Sequence, residues 1–233
     1  MNCFLDYRVS EEEINNIINI GLKPIIIPKS NNVYEAINGH VDIQLSIPNK
    51  NKKEVIVHKD IPEYFLEELS KNNIKYILSK DNLGYKYPNN IILNGLILDN
   101  YFIHNIKFTD RVLLQSQKDK KIINVKQGYT KCSVLPIKDN VIVTSDTSIY
   151  KKLIKENFDI LLLPPGDIIL PTLNYGFIGG VGGMISSNKL ALFGELSHYQ
   201  YGNELAKFLY KHEIETVSLK KGKLFDRGSL LCI

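Results

Sequence analysis

One order of elements, strand, strand, helix, strand, recurs through the chain, with first strands opening near Asp42, Ile91, Ser133, Gly183 and Gly228 at steps of about 42 to 50 residues. A period of that length constrains the fold more than any local propensity, because such a unit cannot bury its apolar face alone and must pack on its neighbours. The N-terminal unit lacks its first strand: it runs from a strand at Cys3–Asp6 through a helix to a fully buried strand at Pro24–Pro28. Ser10 with Glu13 three residues on is a capping box, which fixes where that helix starts. At the other end one strand, Gly228–Cys232, is left over. The simplest resolution is circular closure, with the last strand supplying what the first unit lacks and no sheet edge left around the ring. The expected fold is therefore α/β, a five-bladed pseudo-symmetric propeller of ββαβ units forming a single domain over residues 1–233.

Composition bounds the function. A net charge of +4 with acids and lysines interspersed gives no footprint for nucleic acid. The longest apolar stretch, Ile160 to Leu173, is broken by Pro164, Pro165, Asp167 and Pro171, so no membrane span is expected, and the N-terminus has no leader pattern. Cys3, Cys132 and Cys232 lack any CxxC spacing, which suits free thiols in a reducing cytoplasm.

In a ring, the starts of the first strands converge on one lumen, so residues distant in sequence can meet. Gly39-His40-Val41-Asp42, read as the start of a strand over His40–Ile47, places imidazole and carboxylate on one face about 6 to 7 Å apart. Cys132 enters another first strand from a loop, and Asp226 holds the same place on the closing blade. A cysteine nucleophile served by a histidine that a carboxylate orients is a workable catalytic set. The run Gly179–Gly183 leads into a strand rather than a helix, which argues against a phosphate loop. His58, His104, His198 and His212 are expected at solvated positions.

These features together resemble the pentein fold of guanidine-modifying enzymes: arginine and agmatine deiminases, dimethylarginine hydrolases and amidinotransferases. Gly39-His40-Val41-Asp42 resembles their His-x-Asp motif, and Thr130-Lys131-Cys132-Ser133 is similar to the nucleophile segment of agmatine deiminases. Phe225-Asp226-Arg227-Gly228-Ser229 is similar to their Glu-Gly-Gly start with Asp for Glu. Pro171–Gly180 resembles the segment carrying Phe-Thr-Arg-Asp. The motif order is a cyclic permutation of the usual one, which costs no spatial relation on a closed ring and sets the chain apart as a bacterial branch.

The resemblance implies Cys132 as nucleophile, His40 as acid and base, and Asp226 as the group orienting its ring. It further implies that Asp42 and the position of Gly180 hold a small amidine- or guanidine-like substrate, with no cofactor and no metal. The family has Arg-Asp where this chain has Gly179-Gly180, so one carboxylate clamp is missing; Asp6, Asp146 and Glu195 are candidate substitutes. The alternative implied by that loss is a non-catalytic pentein serving as a binding or assembly protein, as in the ribosome anti-association factors that share the ring.

Overall fold

The computed structural model describes residues 1–233, which form five three-stranded sheets, each with the same internal topology. Strand β1 (Asn2–Leu5), helix α1 (Glu11–Asn19) and β2 (Lys23–Ile26) open the chain. A helical turn α2 (Val41–Gln44) leads into β3 (Leu45–Asn49), followed by β4 (Glu54–Val57), α3 (Glu63–Lys71) and β5 (Lys75–Leu78). The third blade is β6 (Leu96–Ile97), β7 (Tyr101–His104), α4 (Arg111–Ser116) and β8 (Lys121–Asn124). A second helical turn α5 (Thr130–Ser133) precedes β9 (Val134–Lys138), β10 (Val141–Thr144), α6 (Thr147–Leu153) and β11 (Asp159–Leu162). The last full blade is β12 (Gly182–Met184), β13 (Lys189–Leu192), α7 (Gly202–Lys211) and β14 (Glu215–Ser218), and β15 (Leu231–Cys232) ends the chain.

In every blade the first strand pairs antiparallel with the middle one, and the middle one pairs parallel with the outer one across a helix. Strand β15 pairs antiparallel with β1 and supplies the strand that the N-terminal blade lacks, so the ring closes as expected. The resulting architecture is a five-bladed α/β propeller of ββαβ units.

Middle strands are buried almost throughout (Val141–Thr144 completely), because sheet neighbours and helices cover both of their faces. Outer strands are not. Strand β5 is exposed at all four residues and β2 is buried only at Ile25, which corrects the expectation of a fully buried strand there. Each outer strand opens on a charged residue (Lys23, Lys75, Lys121, Asp159, Glu215), a placement that discourages pairing with another edge. The apolar clusters lie between blades: one joins Leu135 and Val143 to Leu190, Leu192 and Phe208.

The capping box forms, with Ser10 Oγ accepting from Glu13 N–H and Glu13 accepting from Ser10 N–H. Three local readings change. His40–Gln44 is a helical turn and not strand, because Asp42 N–H donates to Gly228 O across the lumen and Gln44 ties itself to the carbonyls of Pro28 and Asn38. Ile91–Leu93 lies in a turn, which makes Leu96–Ile97 the first strand and Tyr101–His104 the middle strand that the pattern had not shown. His58 and His104 are buried, not solvated. No helix is long and apolar enough to cross a membrane.

Candidate active site

The turns that feed the five first strands do one job: two or three residues before four of these strands, the chain presents a group to the lumen. These groups are Asp42, Asn94, Cys132 and Ser229; at the corresponding place of the last full blade stands Gly180, whose carbonyl accepts from the amides of Arg227 and Ser229. Asn94 is the hub. Its Nδ2 donates to Asp42 O (2.8 Å) and to Cys132 Sγ (3.1 Å), while its Oδ1 accepts from the amides of Lys131 (3.0 Å) and Cys132 (3.2 Å).

Cys132 is 2% exposed and its thiol donates to Asp42 Oδ1 at 3.3 Å. Asp42 Oδ2 accepts from Ser229 Oγ (2.6 Å), which in turn accepts from Lys131 Nζ (2.7 Å); that ammonium also donates to Gly179 O (3.1 Å). Burial, reinforced by the charges of Asp42 and Asp226, pushes the Cys132 thiol well above its usual range. Burial likewise pushes Lys131 down, against the pull of Asp42.

His40 stands apart. It is 1% exposed, and neither ring nitrogen has a hydrogen-bond partner; its Nε2 lies 3.8 Å from Asp226 Oδ1, within ion-pair range but too long for a hydrogen bond. An imidazole left unpaired in the interior costs about 1 to 3 kcal/mol, so its retention needs a reason other than stability. Gly228 closes over its ring with φ of 66°, and a β-carbon there would strike His40, so only glycine serves.

Asp226 is fixed by the amides of Phe177 (2.8 Å) and Gly228 (3.0 Å), and its neighbour Arg227 is held by the buried Glu13 carboxylate at 3.0 Å. Burial raises the Asp226 carboxyl pKa; His40 opposes that rise and Asp42 adds to it.

The lumen has two mouths. One is a cavity of about 310 Å³ lined by residues that precede the first strands, among them His40, Tyr129, Cys132, Phe177 and Asp226. The other, about 850 Å³, is lined by the far ends of all five first strands and reaches Asp42 and Lys131 from the opposite side. His40, Asp42 and Cys132 bring one ligand atom each within 4.8 Å of one another, a donor set that zinc accepts. There the Cys132 thiol and Asp42 are already hydrogen-bonded to each other, so an ion would have to displace that proton.

Two residues expected to hold the substrate lie away from the smaller cavity. Asp42, expected to hold the substrate, bonds Cys132 and Ser229 and lines the larger cavity, not the smaller. Gly180 lines neither cavity, and a β-carbon on it would collide with the Asp226 carboxylate: the space for a second acid is filled by the first. The proposed substitutes are committed elsewhere, Asp6 to Arg8, Asp146 to capping α6, and Glu195 to the Gly222 amide and His198. Asn94, Lys131, Ser229 and the aromatic walls join the cluster without having been expected there. Asn94 and Ser229 precede the first strands only because those strands start at Leu96 and Leu231, later than the Ile91 and Gly228 expected from the sequence.

A family described as "Family of unknown function (DUF6873)" matches residues 4–231. The chain belongs to this family. No curated protein matches it by sequence. Among solved structures it is similar to an amidinotransferase from Microseira wollei in the saxitoxin biosynthetic pathway, at 11% identity and a TM-score of 0.54, covering 90% of this chain and 74% of that one. It is similar to DDAH from Pseudomonas aeruginosa in complex with citrulline, at 8% identity and a TM-score of 0.50, covering 93% and 91%. A third is the inosamine-phosphate amidinotransferase of Streptomyces griseus, at 10% identity and a TM-score of 0.50, covering 90% and 74%. At such identities the likeness is one of fold, and the fold is that of the penteins.

Proposed function

We propose that this protein is a Cys132-dependent hydrolase or transferase acting on a small amidine- or guanidine-like C–N substrate. The observation that carries this reading is an unpaired, buried imidazole opening into the same cavity as a cysteine thiol. An unpaired acid–base group beside a nucleophile fits catalysis better than it fits packing.

The resting thiol is protonated, since burial first, and then the charges of Asp42 and Asp226, oppose a thiolate. A cationic substrate offsets those charges on arrival and lowers the thiol pKa, so activation is coupled to binding. His40 then takes the thiol proton, and the sulfur attacks the planar carbon to form a C–S bond. His40 returns the proton to the departing nitrogen as the C–N bond breaks, leaving a thiouronium-type intermediate. Water, or an acceptor amine in a transferase, attacks that carbon; its proton passes through His40 and the C–S bond breaks to restore the thiol. Asp226 stabilises the imidazolium, Asp42 and Asn94 hold the sulfur, and no cofactor is needed.

The test is chloroacetamidine, whose amidinium seeks the site and whose carbon alkylates the sulfur. Rapid, selective modification of Cys132, slowed by His40→Ala, is expected. A Cys132 no more reactive than Cys3 overturns the proposal and favours the second reading, a binding or assembly protein that keeps the ring without its chemistry. For that reading the motivation is Gly179-Gly180, where the second clamp of the enzymes has no counterpart.

A further inference from the structure

Given Cys132 and His40 as the reactive pair, the walls of their cavity define what the rest of the substrate carries. Three aromatic rings, Tyr34, Tyr129 and Phe177, and the aliphatic Ile37 and Leu170 surround the pair, and Tyr129 and Phe177 stack with centroids 6.2 Å apart. The rim continues the theme, with Leu173 and Tyr175 at 48% and 43% exposure. The only other polar lining side chains are Asp226, Asn174 and the hydroxyls of Tyr34, Tyr129 and Tyr175.

No lysine or arginine lines this cavity. Arg8 is engaged by Asp6 and by the carbonyls of Glu35 and Ala36, and Lys131 Nζ points to Gly179 O and Ser229. A substrate carboxylate would therefore be buried without a partner, whereas a cation meets one carboxylate and several ring faces.

We infer that the cavity takes a planar amidine or guanidine bearing an aromatic or branched apolar substituent and no anionic group. Free amino acids are then poor ligands.

The experiment is calorimetric titration of the full chain carrying Cys132→Ser with benzamidine, acetamidine, para-carboxybenzamidine and arginine. Benzamidine is expected to bind about tenfold or more tightly than each of the other three. Leu173→Ser, on the exposed rim, should weaken benzamidine about three- to tenfold and leave acetamidine unchanged. Arginine or para-carboxybenzamidine binding as tightly as benzamidine, or no binding of benzamidine at all, overturns the inference. Selective benzamidine binding together with an inert Cys132 keeps the substrate class and rejects only the nucleophile; fast labelling of Cys132 without that selectivity does the reverse.

A second inference comes from the seam of the ring. Asn2 and Ile233 exchange both backbone hydrogen bonds, so the next partners in register, Cys3 and Cys232, form the narrow, non-hydrogen-bonded pair of the antiparallel ladder. Such a pair has α-carbons about 4.5 Å apart, within the range a disulfide spans. Both side chains sit in one apolar cluster, and Cys232 also lines the larger cavity, which gives a small oxidant a way in.

We propose that Cys3 and Cys232 form a reversible disulfide that locks the first strand to the last when a peroxide is the oxidant. Cys232 sulfur attacks a peroxide oxygen, giving a sulfenic acid and water. Cys3 sulfur then displaces the sulfenic hydroxyl as a second water while the S–S bond forms, so two thiols supply the two electrons that reduce the peroxide. Treating the full chain with hydrogen peroxide should give a Cys3–Cys232 cross-linked peptide. It should also raise Tm by about 5 to 15 °C, reversed by dithiothreitol and abolished by Cys3→Ser. Oxygen adducts on Cys232 without a cross-link, a cross-link to Cys132 instead, or unchanged thiols each overturn it.

Discussion

Two histidines of this protein are almost equally hidden, yet their surroundings differ completely. In the third blade, His104 is fully buried with both ring nitrogens paired, Nδ1 to Thr109 Oγ1 at 2.7 Å and Nε2 to Gly128 O at 2.9 Å. At the mouth of the lumen, His40 is buried to the same degree with neither nitrogen paired. Burial therefore marks neither as functional; the difference is whether the fold uses the polar atoms it has enclosed. His104 ties the middle strand β7 to the segment entering the fourth blade, whereas His40 is held by glycine contact beside Asp226 with both ring nitrogens unpaired.

That contrast can be broken most sharply by exchanging each histidine for leucine. His40→Leu is expected to lower the rate of Cys132 alkylation about 10²- to 10⁴-fold, the range for losing an acid–base group, while stability in urea is kept or rises by up to about 1 to 3 kcal/mol, because no hydrogen bond is lost and the cost of the unpaired imidazole is removed. Equal loss of stability and reactivity would show His40 to be structural.

Asp226 provides the next test. Gly180→Asp puts a side chain where the Asp226 carboxylate already lies and should cost about 3 kcal/mol or more, with much of the loss recovered in the double variant carrying Asp226→Gly. A tolerated single variant would mean that the space beside Asp226 can open.

For the paired histidine the expectation inverts. His104→Leu removes two hydrogen bonds and leaves Gly128 O unpaired, while the Thr109 hydroxyl keeps its bond to Asn105 O, and should cost about 2 to 3 kcal/mol in urea, with alkylation of Cys132 unchanged.

The smallest effect is in pH. Burial holds His104 and His58 down to about 4, below the 6.5 of an unfolded chain. Both therefore favour the fold while neutral: their stabilisation is complete above about pH 6.5 and is lost as pH falls towards 4. A decline of about 2 kcal/mol per histidine between pH 7.5 and 5 is expected in urea melts, and His104→Leu should remove its share.

Much of this was legible in the chain, for physical reasons that can be named. The orphan strand at Gly228–Cys232 and the incomplete first unit pointed to closure, and closure alone brings Cys132, His40 and Asp226 to one lumen from distant sequence positions. The helical turn at Val41–Gln44 was not legible, because alternation in Val41, Ile43 and Leu45 fits a strand equally well and the turn is imposed by Gly228 and Pro28 from elsewhere in the fold. Asn94 carries no chemical signature on its own. Nor could sequence reveal that Asp226 fills the place beside Gly180, since the two approach only when the ring closes. His58 and His104 looked solvated from their neighbours, and burial depends on which strand of the blade they sit near.

The most direct test of the account is a crystal structure of the chloroacetamidine-treated protein. The account expects density continuous from Cys132 Sγ into the smaller cavity, with the amidine between His40 and Asp226. An adduct lying in the larger cavity beside Lys131, or a Cys132 left unmodified while Cys3 or Cys232 reacts, would contradict it.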